Sequence, residues 1–179
     1  VDNNESVGTI EYQGNSGFSQ DNLIQSQKYN GEKMKKLSKK HIIGIDSYPD
    51  TESELDIQMI SQTSEDVDIW YWGSKNWLYT FSINFLNAEK IPDVISMSWG
   101  WAEDQQCTIS NCTNITSQKY LDRVNTEYAK IGLRGTTIIV SSGDAGAPGR
   151  TSESCDEERP INPVYPGSSP WVTSLGATF

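Results

Sequence analysis

Thr136-Thr137-Ile138-Ile139-Val140-Ser141 is a run of mainly β-branched residues, and a glycine-rich polar stretch from Ser142 to Gly146 follows it directly. A nearly unbroken run of this kind is typical of a strand covered on both faces of a parallel sheet. Further short strands are predicted at residues 8–12, 42–46, 68–72, 93–99 and 171–175. Helices are predicted at residues 51–63, in the segment that follows Ser74 as its N-cap, and at residues 117–133. This alternation predicts one α/β domain with a mainly parallel sheet.

The charge balance limits the classes of function. The 179 residues include 24 Asp and Glu against 14 Lys and Arg, for a net charge of −10. Without a basic surface to neutralise phosphates, nucleic acid is not an expected partner. No apolar run approaches the ~18 residues of a membrane helix, so no membrane span is expected. His41 is the single histidine. Any mechanism that needs two imidazoles is therefore excluded, and carboxylates are expected to carry proton transfers.

Two carboxylates stand at helical spacing in the segment that follows Asp50. Thr51 and Glu54 match a capping box that opens a helix, and Glu52 and Asp56 then share one face of that helix. Two carboxyls this close titrate as a coupled pair, so one proton is retained to higher pH. Such a pair can accept and return a proton in acid. The alternative is that these acidic residues only complement the helix dipole.

Two strand ends carry further candidate site residues. Asp144 follows the 136–141 strand, at the edge of a parallel sheet where ligands bind, and a protonated carboxyl there could donate to a developing oxyanion. The alternative is an ordinary Gly-Asp turn. Ser98-Trp99-Gly100 ends the 93–99 strand, where exposed backbone could pair with an extended peptide. The alternative there is a core tryptophan followed by a turn.

The cysteines and glycosylation sequons favour a secretory route. Sequons begin at Asn4, Asn111 and Asn114, and Cys107 and Cys112 are spaced to close a small disulfide loop. Cys155 is then left without an assigned partner. The alternative is three unpaired thiols in a cytosolic protein. The cysteine spacing does not resemble a zinc site, and no metal site is expected in this chain.

Four segments in this order resemble the sedolisin family of serine-carboxyl peptidases, including its tripeptidyl-peptidase branch. They are Glu52-Ser53-Glu54-Leu55-Asp56-Ile57-Gln58, Ile95-Ser96-Met97-Ser98-Trp99-Gly100, Val140-Ser141-Ser142-Gly143-Asp144-Ala145-Gly146 and the stretch from Tyr165 to Thr178. The resemblance implies a subtilisin-like, three-layer α/β fold with a glutamate in place of the catalytic histidine. It makes Glu52 the general base, Asp56 the residue that orients it, and Asp144 the oxyanion carboxyl. Ser98, Trp99, Gly100, Ser142 and Gly143 would line the substrate cleft.

The family's nucleophile is the serine of a Gly-Thr-Ser segment, and this chain contains none. The resemblance therefore implies that residues 1–179 are the N-terminal portion of one peptidase domain, incomplete in this chain. The serine and a calcium site would belong to the remaining C-terminal part, which would be a partner of this portion beside the peptide or protein substrate. The expected activity is acid proteolysis in a lysosomal, vacuolar or secreted setting, with the 179 residues alone inactive and unable to fold stably. Two alternatives stay open: a catalytically inactive peptidase-like protein used for binding or assembly, and an unrelated secreted α/β binding protein.

Overall fold

A computed structural model describes residues 5–12, 16–44, 48–64, 66–150 and 161–178. Asn4 and Cys155 lie outside these ranges, as does the end of the strand predicted at 42–46. The strands are β1 Ser6–Glu11, β2 Ser16–Gly17, β3 Ile42–Ile43, β4 Tyr48–Pro49, β5 Asp68–Gly73, β6 Val94–Met97, β7 Trp101–Ala102, β8 Thr137–Ser141, β9 Val164–Tyr165 and β10 Thr173–Leu175. The α-helices are α1 Gln20–Asn30, α2 Thr51–Thr63, α3 Leu78–Asn87, α4 Gln106–Ile109 and α5 Ser117–Leu133.

The chain divides into two compact units. The first comprises residues 1–75 and 90–96, and the second comprises residues 76–89 and 97–179. In the first unit β1 pairs in parallel with β5 on one side and β6 on the other, and β3 pairs in parallel with β5. In the second unit β8 and β10 pair in parallel, while β7 and β9 form a short antiparallel ladder. The predicted α/β class with a mainly parallel sheet is confirmed.

The core of the first unit lies between its sheet and helices α1 and α2. Its buried apolar side chains are Phe18, Leu23, Leu37, Ile57, Ile69 and Tyr71. Ile57 is fully buried, and it lies one residue beyond Asp56 on α2. Truncation of such a side chain costs about 2–5 kcal/mol. The packing of α2 through this residue therefore fixes the rotation of the helix, and with it the direction of its carboxylates.

The first turn of α2 differs from the predicted capping box. Asp50, rather than Thr51, is the N-cap, because its Oδ1 accepts hydrogen bonds from the backbone N–H groups of Glu52 and Ser53. Glu54 is occupied elsewhere: its Oε1 accepts from the Ser19 backbone N–H at 2.8 Å and from the Asn22 side chain at 2.9 Å. Glu54, at the fourth helical position, therefore ties α2 to α1 instead of closing its own helix end.

Helices α3 and α5 form the packed centre of the second unit. Leu78, Phe81 and Phe85 of α3 are fully buried, and so are Val124, Tyr128 and Ile131 of α5. The predicted bounds of α5 are confirmed, with Thr116 as its N-cap. The predicted Ser74 cap of α3 is wrong: α3 begins at Leu78 with no side-chain cap, and the Ser74 N–H donates to the Glu11 carbonyl. Among the described residues, no helix is long and apolar enough to cross a membrane.

Candidate active site

The carboxylates predicted to act as a pair lie on one face of α2. Asp56 is 9% exposed and Glu52 is half-buried. Ser53, between them in sequence, is fully buried: its hydroxyl donates to Asp50 Oδ2 at 3.0 Å and lies 3.1 Å from the Tyr71 hydroxyl. These two contacts of Ser53 link the first turn of α2 to β5, so Glu52 projects from an anchored helix end.

Two buried polar residues of β1 that the sequence motifs did not indicate lie next to Asp56, one directly and one through the other. Thr9 and Glu11 of β1 are both fully buried. They point to one side of the strand because their positions differ by two. The Thr9 hydroxyl lies 3.1 Å from Glu11 Oε1 and 3.4 Å from Asp56 Oδ2. Glu11, Thr9 and Asp56 therefore form one connected polar cluster inside the first unit. A glutamate within an apolar strand, two positions from a threonine, was the available signal.

A cavity in the second unit brings together the two strand-end motifs. It has a volume of about 330 Å³, and its described lining residues are Ser98, Gly100, Ser141, Gly143, Asp144, Ala145, Arg150 and Val164. The Asp144 side chain is exposed. A carboxyl at the end of β8, facing a cavity of this size, is placed to meet a bound ligand.

Val164 explains why two of the lining residues are glycines. A Cβ at Gly100 would overlap Val164 Cγ1, and a Cβ at Gly143 would lie 2.9 Å from Val164 Cγ2. Gly143 also has a φ of +95°, which residues with a side chain rarely adopt. The two glycines thus let the chain approach Val164 closely while the cavity stays open.

The remaining predicted cleft residues lie elsewhere. Ser142 lines a second cavity of about 320 Å³, together with Ala147, Ile161, Pro163 and others. Trp99 is half-buried and is not among the lining residues of either cavity. His41 ends a short 3₁₀ helix directly before β3 and stacks on Trp70 with ring centroids 4.3 Å apart.

The sequon loop is closed by a disulfide between Cys107 and Cys112. Asn111 and Asn114 on this loop are exposed, and the Thr113 hydroxyl donates to the Asn111 side-chain oxygen at 2.9 Å. Within the described ranges, no group of three or more His, Cys, Asp or Glu side chains is arranged to hold a metal ion.

The chain is similar in sequence and in structure to several known proteins. Physarolisin of Physarum polycephalum is 40% identical over 180 aligned residues, which cover 98% of this chain and 31% of physarolisin. Tripeptidyl-peptidase 1 of Homo sapiens is 31% identical over 137 residues, covering 71% of this chain and 21% of that protein. Pseudomonas sedolisin, a serine-carboxyl proteinase solved with two molecules of pseudo-iodotyrostatin, matches with a TM-score of 0.67 at 22% identity, over 97% of this chain and 48% of that one. No family model matches the chain.

The mainly parallel sheet and the likeness to Pseudomonas sedolisin define a subtilisin-like α/β fold. Physarolisin and tripeptidyl-peptidase 1 are both at least 30% identical to this chain and cover more than two thirds of it. The chain belongs to the sedolisin family of serine-carboxyl peptidases. It spans about a third of the length of physarolisin.

Proposed function

We propose that the protein is an acid-acting serine-type peptidase to which this chain contributes the general base and the oxyanion group. Glu52 takes the proton of a serine nucleophile, which comes from a part of the protein outside these 179 residues. Asp56 orients Glu52, and Asp144 faces the carbonyl oxygen of the scissile bond. The observation that carries the proposal is the half-buried Glu52 four residues before the buried Asp56 on a helix anchored by Asp50.

The chemistry of this arrangement suits acid. A histidine base is already protonated well below pH ~6.5, whereas a carboxylate remains a competent base down to about pH 4. Burial disfavours the simultaneous ionisation of neighbouring carboxyls. Glu11 and Asp56, joined through the Thr9 hydroxyl, would therefore hold a proton between them while Glu52 exchanges one with the nucleophile. Asp144, in its carboxylic acid form, would donate a hydrogen bond to the oxyanion as it forms.

The substrate class proposed is peptides and proteins. Physarolisin and tripeptidyl-peptidase 1, the relatives that support this class, align with this chain over 31% and 21% of their own length. Release of tripeptides and internal cleavage are therefore both compatible with the proposal. A lysosomal, vacuolar or secreted location is proposed on the Cys107–Cys112 disulfide and the exposed sequons at Asn111 and Asn114.

The test is hydrolysis of internally quenched peptides by the full-length protein between about pH 3 and 6. Glu52→Gln should lower kcat by roughly 10²–10⁴, the contribution of a positioned base, while the far-UV and near-UV circular dichroism stay unchanged. Glu54→Gln is the matched control: it makes the same change two residues away on the same helix, and it should retain activity.

Absence of hydrolysis by the wild-type protein at every pH would reject the proposed function and favour the non-catalytic peptidase-like protein. Equal activity of the wild type and the Glu52→Gln variant would reject Glu52 as the base. Asp144→Asn completes the set, because an amide can still donate to the oxyanion. Asp144→Asn should therefore lose less activity than Asp144→Ala.

A further inference from the structure

We propose that Arg150 makes the cavity beside Asp144 selective for an acidic side chain of the peptide substrate. This inference rests on the proposed function and adds the charge of the preferred substrate to it. Arg150 belongs to none of the four segments that carry the family resemblance.

Arg150 is held in place by an aromatic ring. Its guanidinium carbon lies 4.5 Å from the centroid of the Trp101 ring, within the range of a cation–π contact. Trp101 is fixed in turn by the pairing of β7 with β9, where it lies opposite Tyr165. The Trp101 carbonyl also accepts a hydrogen bond from the Gln106 side chain at 2.9 Å. The guanidinium therefore rests on a surface that belongs to the packed part of the second unit.

The turn before Arg150 sets the direction of its backbone. The Gly149 N–H donates to the Gly146 carbonyl at 3.0 Å, and the Asn162 N–H donates to the Ala147 carbonyl at 3.3 Å. Gly149 is buried with a φ of +79°, and a Cβ at this position would overlap the Asn162 carbonyl oxygen. The glycine lets the turn lie directly against Asn162, so Arg150 leaves a constrained turn at the rim of the cavity.

Within the described part of the chain, the positive charge of Arg150 has no acidic partner. No described carboxylate forms an ion pair with it within 4.0 Å. A guanidinium stacked through its face keeps its N–H edge for a carboxylate, which it can bind through two parallel hydrogen bonds. Asp144 is the other charged residue in the described lining. No ion pair within 4.0 Å joins Asp144 to Arg150.

The experiment compares peptides that differ at one residue, with Glu, Gln, Lys or cysteic acid placed at each position in turn. At the peptide position whose side chain enters the cavity, the wild-type protein should cleave the Glu peptide with a kcat/KM about tenfold above that of the Gln peptide. This factor is the usual advantage of a hydrogen bond between charged groups. Below about pH 4 the Glu side chain is protonated, so its advantage should disappear. The cysteic acid peptide, whose sulfonate stays ionised, should keep the advantage.

Variants of Arg150 separate its charge from its bulk. Arg150→Gln should remove the Glu preference, so that the Glu and Gln peptides are cleaved with similar kcat/KM, and Arg150→Glu should shift the preference to Lys. Arg123→Gln, which changes an exposed arginine of α5, is the control and should keep the Glu preference.

Binding of the same peptides to the Glu52→Gln protein, measured by calorimetry, gives a readout that does not depend on hydrolysis. Tighter binding of the Glu peptide, lost in the Glu52→Gln/Arg150→Gln double variant, supports the inference even if the proposed function fails. Equal binding of Glu, Gln and Lys peptides overturns the inference. Equal cleavage of the three peptides by an active wild-type protein also overturns it and leaves the proposed function intact.

Discussion

The Thr9 hydroxyl lies 3.4 Å from Oδ2 of Asp56, a residue 47 positions away along the chain. The same hydroxyl lies 3.1 Å from Glu11 Oε1. A hydroxyl carries one proton and accepts through its lone pairs, so it can donate to one carboxylate while it accepts from the other carboxyl in its protonated form. Thr9 is thus the link through which a proton held by one of these two acids affects the other.

Thr9→Val should disconnect this cluster while keeping its volume. We expect kcat for peptide hydrolysis to fall about tenfold, the cost of a hydrogen bond to a charged group, and the acidic limb of the pH profile to move. Full pH profiles of kcat and kcat/KM measure both effects.

Ser82→Ala is the matched control for the Thr9 variant. It removes a fully buried hydroxyl that donates to the Leu78 carbonyl within α3, so it should lower the melting temperature and leave the pH profile unchanged. A Thr9→Val protein with wild-type kcat at every pH would show that the hydroxyl has no part in catalysis.

Gly100→Ala should narrow the Asp144 cavity by displacing Val164. We expect KM for peptides to rise several-fold with a smaller effect on kcat, because the Cβ overlaps Val164 Cγ1 rather than touching the proposed reacting groups. Gly100→Ala/Val164→Ala should recover most of the lost affinity, since the second change removes the atom that the new Cβ meets. Steady-state kinetics on one peptide series decides between recovery and a further loss.

Gly143→Ala should not be rescued in the same way. Its φ of +95° costs a non-glycine residue about 1–2 kcal/mol whatever lies nearby. Urea unfolding of Gly143→Ala and Gly143→Ala/Val164→Ala should therefore show a persistent loss of stability. Full recovery in the double variant would assign the whole effect to the contact with Val164.

Asp66→Asn should destabilise the protein at neutral pH and have no effect in strong acid. The hydrogen bond and charge of Lys33, 2.7 Å away, lower the pKa of Asp66 below its usual 3.8. A carboxyl whose pKa is lower in the folded state stabilises the fold above its unfolded pKa, and this stability is lost as the pH falls through the folded value. Melting temperatures of the wild type and variant should converge below about pH 3 and also at high salt. A difference that persists in acid would contradict the ion pair.

Tyr165 should contribute to stability independently of pH. Burial raises the pKa of its phenol above the ordinary value, so the hydroxyl stays a donor to Asn125 Oδ1, at 2.9 Å, from acid to neutral pH. Tyr165→Phe and Ser169→Ala should each cost about 1 kcal/mol, because each removes one of two donors to the same oxygen. The double variant should cost more than their sum, since no donor from this pair is then left. Urea midpoints at about pH 4 and 7 test both points; strict additivity would refute the shared acceptor.

The sequence predicted most of the regular elements because their patterns are local. The helix at 117–133 carries apolar side chains at helical spacing, and β8 is a nearly continuous apolar run. Helix α1 was missed because only Leu23 and Gln27 of its residues are buried, which leaves no apolar periodicity to read. Its Ser19 cap and the terminating Gly31 were the remaining signals.

The candidate site was predicted in part for a related reason. Glu52 and Asp56 are neighbours on one helix, so their spacing alone places them together. The cluster with Thr9 and the stacking of Arg150 on Trp101 join residues 47 and 49 positions apart. Such contacts depend on strand pairing and turn geometry, which no local pattern in the sequence encodes.

The acidic residues at the start of α2 make different contacts. Asp50 caps the helix and Glu54 ties it to α1. Glu52 contributes its backbone N–H to the cap, and its side chain takes part in neither of these two contacts. Under the proposed function, a side-chain substitution at Glu52 would stop the reaction and leave the Asp50 cap and the Glu54 tie in place. Loss of the proposed catalysis along an evolutionary lineage would therefore not require the loss of these two contacts.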